Sequence, residues 1–252
     1  MIKFFRKIRQ NLLSEGKTEK YFKYAIGEIA LVVIGILSAL SINNWNTERQ
    51  NENRRISFLV KLELELDYND NRLIEMSKIY DEILESNLKL YDTLMVRISP
   101  QNIEEYLQAG YYTASTLNLS SSNYEQMKGT GNLHTLKSDT LINTIEAYYR
   151  LCEREEFYIF NTNALVMNNT YYELNKGLSK AQLDYNVRGL HYALQNNAWL
   201  LDNQSEEYAE LSRELLVVNG SINDNINRIN RILDTSNNLK ELIKINLEKD
   251  KI

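Results

Sequence analysis

Helix-breaking residues and the residues that build reactive centres are both scarce in this chain. It holds one Pro, nine Gly, one Cys and two His among 252 residues. A single Pro leaves helix interiors intact, because proline removes a backbone donor and clashes with the preceding turn. No Asn-Gly or Asp-Gly pair joins two alternating apolar runs, so the hairpin signal is missing. The one Asn-Gly, Asn219–Gly220, lies between helical patterns. With Cys152 as the sole cysteine, an intramolecular disulfide is excluded. His134 and His191 are the only histidines, too few to complete a Cys/His zinc site. Cys152 stands beside Tyr148, Tyr149 and Leu151 in a helical pattern and reads as a buried structural thiol. What remains is an all-α composition.

The net charge of -5 is unevenly spread. Residues 1–23 carry Lys3, Arg6, Lys7, Arg9, Lys17, Lys20 and Lys23 against Glu15 and Glu19, a net of +5, which leaves -10 for the remaining 229. An acidic domain of this kind is a poor partner for nucleic acid, which needs clustered Lys and Arg. The basic tail adjoins the segment YAIGEIALVVIGILSALSINNW, residues 24–45. Its centre, Ile29–Leu40, has no charge and only Ser38 as a polar residue. Twenty-two helical residues span about 33 Å, the thickness of a hydrocarbon core. Tyr24 and Trp45 sit at its two ends, where amphipathic aromatics prefer the interface.

The pattern reads as an uncleaved signal anchor: the n-region is long and Glu28 interrupts the apolar run, although Ala39-Leu40-Ser41 has the form of a cleavage site. The charge bias predicts a cytoplasmic N-terminus in the inner membrane and a periplasmic domain at 46–252. Glu28 is costly within a span. It either snorkels to the boundary or pairs with Lys20 or Lys23, or it lies on a packing face. Glu28, Gly35 and Ile42 are seven apart, and Gly35 and Ala39 form a small-xxx-small pair on that side.

Beyond Trp45 a heptad begins at Leu59. Its a series is Leu59, Leu66, Leu73, Tyr80, Asn87 and Leu94; its d series is Leu62, Asn69, Met76, Ile83, Leu90 and Arg97. The spacing predicts one helix over about 46–98, stopped by Ser99-Pro100. Residues 101–137 read as short helices and loops: a helical piece at 101–109, a loop at TLNLSSS (116–122), and a turn from Asn123 closed by Gly129-Thr130-Gly131. Ser138 or Asp139 caps an aromatic-rich helix that stops at Gly177. A third helix is expected over 187–218, ending at Asn219–Gly220, and a fourth after Ser221. The sum is an N-terminal transmembrane helix, a long helix and an elongated helical bundle.

The opening block MIKFFRKIRQNLLSEGKTEKYFKYAIGEIALVVIGILSALSINNWN, with Tyr124–Leu133 (YEQMKGTGNL) and Ala147-Tyr148-Tyr149, resembles a domain-of-unknown-function family of small single-pass membrane proteins from Gram-negative bacteria. The resemblance is close over the first 50 or so residues and loose beyond. It implies a membrane-anchored helical protein and carries over no catalytic residue, cofactor or substrate.

The chemistry-bearing residues have plain readings. Glu63 and Glu65 flank heptad positions and are expected in solvent. Glu153, Glu155 and Glu156 are expected to pair locally with Arg150 and Arg154. Glu206 and Glu207 belong in a first helical turn. Gly129-Thr130-Gly131 lacks the Lys-Ser/Thr of a phosphate loop and reads as a connector. The aromatics of the 139–176 helix read as core. No nucleophile motif such as G-x-S-x-G is present. The expected function is therefore a membrane-tethered, non-enzymatic scaffold or interaction module of the cell envelope, binding the lipid bilayer and another envelope protein or itself. The alternative is a periplasmic ligand-binding or sensor bundle; an ion-coupled subunit using Glu28 is a third class.

Overall fold

A computed structural model describes residues 18–96, 103–104, 107–108, 115–171 and 176–248. Most of the basic tail, the stop at Ser99-Pro100, the side chain of Tyr24 and most of 101–114 lie outside them. Among the described residues there are six α-helices, two 3-10 helices and no strand. The chain divides into two units, Met1–Ser57 and Phe58–Ile252.

The first α-helix, α1, runs over Thr18–Val96 without a break. No Pro and only Gly27 and Gly35 fall within it, so nothing in the sequence interrupts its hydrogen-bond ladder. In the first unit its side chains are unpacked: Ile29, Leu31, Val32, Val33, Ile34, Ile36, Leu37 and Leu40 are all exposed. In the second unit the heptad face is buried as the spacing predicts. Leu59, Leu62, Leu66, Asn69, Leu73, Met76, Tyr80, Asn87 and Leu90 are all buried and Ile83 partly so.

The chain then returns to start α2 (Ser122–Gly129), a 3-10 turn (Asn132–Leu136) and α3 (Asp139–Tyr171). Gly131 sits at φ 69° between the first two, so the Gly129–Gly131 stretch is the connector it resembles. Ser138 caps α3 by accepting the Leu141 N–H at 3.3 Å. Contacts between α1 and α3 advance along both sequences, from Glu65–Tyr149 and Asn69–Tyr148 at one level to Tyr80–Asn163 at another, so the two helices run parallel.

Two corrections concern the second half. Gly177 does not stop α3; it opens α4 (Gly177–Arg188), which is followed by α5 (Leu190–Asn196) and a 3-10 turn at Ala198–Leu201. The expected break at Asn219–Gly220 is also absent. One helix, α6, runs over Glu206–Glu248 straight through Gly220, with Ser205 rather than Ser221 at its cap and Glu206 and Glu207 in its first turn. A mid-helix glycine costs about 1 kcal/mol. Burial of Leu215, Val218, Ile222, Ile229 and Ile232 on one face outweighs that, each worth roughly 1.5–3 kcal/mol.

α6 runs antiparallel to both partners. Asn225 meets Asn163 and Arg228 meets Glu155 on α3, while Lys240 bonds Asp67 and Asp70 on α1 at 2.5 and 2.6 Å. Residues 58–96, α3 and α6 thus form a three-helix bundle in which the first two strokes point the same way. A parallel pair needs a crossover connection, and residues 115–121 supply its last part.

Candidate functional site

The crossover descends as an extended strap along α1 and α3. Ser115 lies level with Asn163, Leu117 with Arg72, Leu119 with Glu156 and Ser120 with Asn69. The strap has no regular ladder of its own, so its backbone groups are satisfied by side chains. Asn69 clamps Ser120 at two points: its Nδ2 donates to the Ser120 carbonyl at 2.9 Å and its Oδ1 accepts the Ser120 N–H at 2.7 Å. Arg72 donates to the carbonyls of Leu117 and Thr116. Glu156 accepts the Leu119 N–H at 2.9 Å, and Asn163 donates to the Ser115 carbonyl at 2.8 Å.

Glu65 is the centre of this arrangement and corrects the expectation that it faces solvent. Its side chain is buried. One oxygen accepts from Ser120 Oγ, Ser122 Oγ, Asn123 N and Asn123 Nδ2 at 2.8–3.2 Å, and the other accepts the Tyr149 hydroxyl at 2.5 Å. Tyr149 in turn stacks on Tyr124 with ring centroids 4.2 Å apart and meets Tyr148 edge-on. The network joins α1, the strap, α2 and α3 through one carboxylate and neutral donors. Its geometry can hold a shape.

The buried phenols and the thiol of this core are held in their protonated forms. Burial pushes the Tyr148 and Tyr149 phenols well above their ordinary range, and the bond to Glu65 adds to the effect at Tyr149. Burial raises Tyr80 too, with its bonds to Asn163 and Asn225 opposing, and pushes the Cys152 thiol up to about 12. Cys152 is therefore buried and poor in thiolate, as a structural thiol should be. A group whose folded pKa is raised stabilises the fold below its unfolded value and loses that contribution as pH rises. The melting temperature should accordingly hold to about pH 9 and fall from there, since the unfolded thiol and phenols ionise from their ordinary values of 9.0 and 10.0. A melting curve unchanged up to about pH 11 would contradict this account.

Glu155 is a second correction. It pairs with its neighbour Arg154, as expected, but is also buried against α6, where Arg228 donates to Oε2 at 2.7 Å and Arg231 at 3.3 Å. Burial alone would raise its pKa; the bonds from Arg154, Arg228 and Arg231 outweigh that and hold it below the carboxylate range. The aromatics of α3 divide as well: Tyr148 and Tyr149 are core, while Phe157, Tyr158 and Phe160 are exposed. Glu155 and Phe157 lie two residues apart, so the helix turns one inward and the other out.

The residues predicted to form a membrane packing face lie in the first unit. Glu28 is half-buried, Ala39 is exposed, and nothing stands within 4 Å of where a Gly35 side chain would begin. All three are on one uninterrupted stretch of α1, about 16 Å from first to last at helical rise. A cleft of about 510 Å³ lies elsewhere, beside Trp199, Lys180, Asn197 and Glu210. Among the described residues no group of three His, Cys, Asp or Glu is placed to hold a metal.

No curated protein and no solved structure matches the chain. A family model does match, over residues 28–182, which takes in the apolar segment from Glu28, the Glu65 clamp, the strap and the whole of α3. That is more than half of the sequence, and the chain belongs to DUF6090, a family of unknown function.

Proposed function

We propose that the protein is a membrane-tethered, non-enzymatic scaffold or interaction module of a Gram-negative cell envelope. In this reading residues 24–45 cross the inner membrane, the basic tail stays in the cytoplasm and the bundle lies in the periplasm. What supports it most is the run Ile29–Leu40, whose large apolar side chains all stand exposed on a helix long and apolar enough to cross a membrane. In water such a surface is a severe liability. In hydrocarbon each of those side chains is worth about 1.5–3 kcal/mol. Full-length protein should therefore stay with membranes through alkaline carbonate washing, and a reporter active only outside the cytoplasm should work when fused after Ile252. Release into the supernatant, or a mature N-terminus at Ile42, would sink the anchor; activity confined to a cytoplasmic reporter would reverse the topology.

The membrane helix is proposed to pair, with itself or with a partner span, through Glu28, Gly35 and Ala39. Lipid offers helices no hydrophobic reason to associate, so contact depends on close packing and on polar bonds worth about 1 kcal/mol. Gly35→Leu should therefore reduce association most in a membrane two-hybrid assay, Glu28→Gln less, and Ile34→Leu hardly at all. Three variants indistinguishable from the parent would leave Glu28 a snorkelling boundary residue.

A ligand-binding or sensor role is the second reading, favoured by the cleft beside Trp199. A small molecule that raises the melting temperature, with the rise lost in Trp199→Ala, would move the assignment there.

A further inference from the structure

The cleft beside Trp199 is walled by the start of α4, the 3-10 turn after α5 and the start of α6. Its volume of about 510 Å³ is that of a small-molecule site. Trp199, partly buried, gives it one aromatic wall. The polar groups around that wall fall into two sets. Lys180 is committed to the protein: its Nζ donates to Asp184, to the Asn196 carbonyl and to Asn197 at 2.9–3.2 Å, which uses all three of its N–H groups. Asn197 is buried and is itself tied to Asp184 and the Ala193 carbonyl. Glu206, Glu207 and Glu210, by contrast, are exposed and make no hydrogen bond or ion pair with any described residue. Glu206 and Glu207 have a local use in the first turn of α6, where acids answer the helix dipole. Glu210 lies a turn farther in and has no such use.

The charge around the cleft selects a cation. Lys176 and Lys180 stand against Asp184, Glu206, Glu207 and Glu210, two positive against four negative. Taking in the neighbours Arg188, Asp202, Arg213 and Glu214 makes it four against six, the same negative excess of two. The starts of α4 and α6 add about half a positive charge each, together only half of that excess. A metal ion does not fit, because among the described residues no three carboxylates gather around one point. Negative charge spread along a wall beside an indole suits a cation with an apolar body, which the ring face also attracts.

We infer that this cleft binds a small organic ammonium ion, its carbon groups against Trp199 and its charge answered by Glu206 and Glu210. The inference rests on the ligand-binding reading and supplies the ligand class that reading lacks. It is tested on the full-length chain in neutral detergent, carrying Trp45→Phe so that Trp199 is the one tryptophan left. The probe is choline. The controls are 3,3-dimethylbutanol, which has choline's shape without its charge, and succinate, which has the opposite charge.

Choline should change the Trp199 fluorescence saturably, and its binding should weaken with salt. Affinity should fall about threefold in Glu210→Gln and about tenfold in the double variant Glu206→Gln, Glu210→Gln. Both carboxylates are exposed and unpaired among the described residues, so the variants should melt as the parent does; if the double variant does not fold, Glu210→Gln still decides. Three results would overturn the inference: no response to choline, an equal response to 3,3-dimethylbutanol, or choline binding unchanged in the variants. The controls separate the two ideas. A saturable response to succinate or to 3,3-dimethylbutanol in place of choline refutes the cation and leaves the cleft a ligand site; no response to any of the three, with no small molecule raising the melting temperature, refutes both.

Discussion

Glu65→Leu is expected to lower stability by about 4 kcal/mol, measured by chemical denaturation of the full-length chain followed by helical circular dichroism. Leucine fills similar volume, so packing is not the cause. The loss comes from five donors that converge on the Glu65 carboxylate: the Tyr149 hydroxyl, two serine hydroxyls, and the backbone and side-chain N–H groups of Asn123. Hydrogen bonds to a charged group are worth about 1.5–3 kcal/mol each, and donors stranded in a buried site add about 1–3 kcal/mol. Ser120, Ser122 and Asn123 can turn partly to water, which keeps the total well below the simple sum. Tyr149 is buried and has no such escape.

Glu65→Gln should cost about half as much, because its carbonyl still accepts while its amide faces donors. Glu63→Leu, two residues away and only half-buried, should change stability by less than about 0.5 kcal/mol. The strap gives a second readout. Ordering its backbone costs roughly 1–2 kcal/mol per residue, and the Glu65–Asn69 clamp is what offsets that. Amide exchange at residues 117–123 should therefore quicken in Glu65→Leu before exchange in α3 does. A variant as stable as the parent, or a strap still protected, would mean that the apolar contacts of Leu117 and Leu119 hold the crossover unaided.

The contrast between Glu63 and Glu65 shows where sequence reading runs out. The heptad on α1 was legible because helix periodicity is local: spacing alone puts Leu59, Leu62, Leu66, Leu73 and Tyr80 on one face, and that face is buried. Buried Asn69 was legible as a polar residue at a core position. Its partner was not, since the Ser120 backbone lies 51 residues away. Glu65 sits at the rim of the heptad, where an acid is ordinarily solvated. Its donors come from positions 55 to 84 residues along the chain, and no short window contains them.

The Gly220 error has the opposite origin. Asn-Gly is a strong local stop signal, but a buried stripe running from Leu215 to Ile243 overrides it. For the membrane segment both levels agree. Uncharged residues over Ile29–Leu40 imply burial somewhere, and the fold leaves them unburied.

Glu155→Ala should cost about 3 kcal/mol in the same denaturation assay, and its pH dependence identifies the cause. The carboxylate is 1% exposed, and Arg228, at 23%, is partly withdrawn from water with it. Removing one partner of a buried pair is expensive mainly because the other charge is left behind. Here that falls on Arg228, whose Nε already lacks a hydrogen-bond partner among the described residues. Arg154 and Arg231 can return to water, which places the cost at the low end for buried pairs. Arg154→Gln should accordingly cost less than about 0.5 kcal/mol.

Glu155 is held below its ordinary pKa, burial opposing and its bonds from three arginines prevailing. A depressed carboxylate stabilises the fold above its unfolded pKa of 4.5 and loses that contribution as pH falls through the folded value. The parent should therefore lose stability on acidification below about pH 4.5, and Glu155→Ala, already without that contribution, should lose less over the same interval. The gap between the two proteins should be widest near neutral pH and narrow as acid is added. A gap of constant size would show that the alanine acts by leaving a cavity between α3 and α6. No gap at any pH would mean that the ion pairs contribute nothing net, and that the arginines stand there for something other than Glu155.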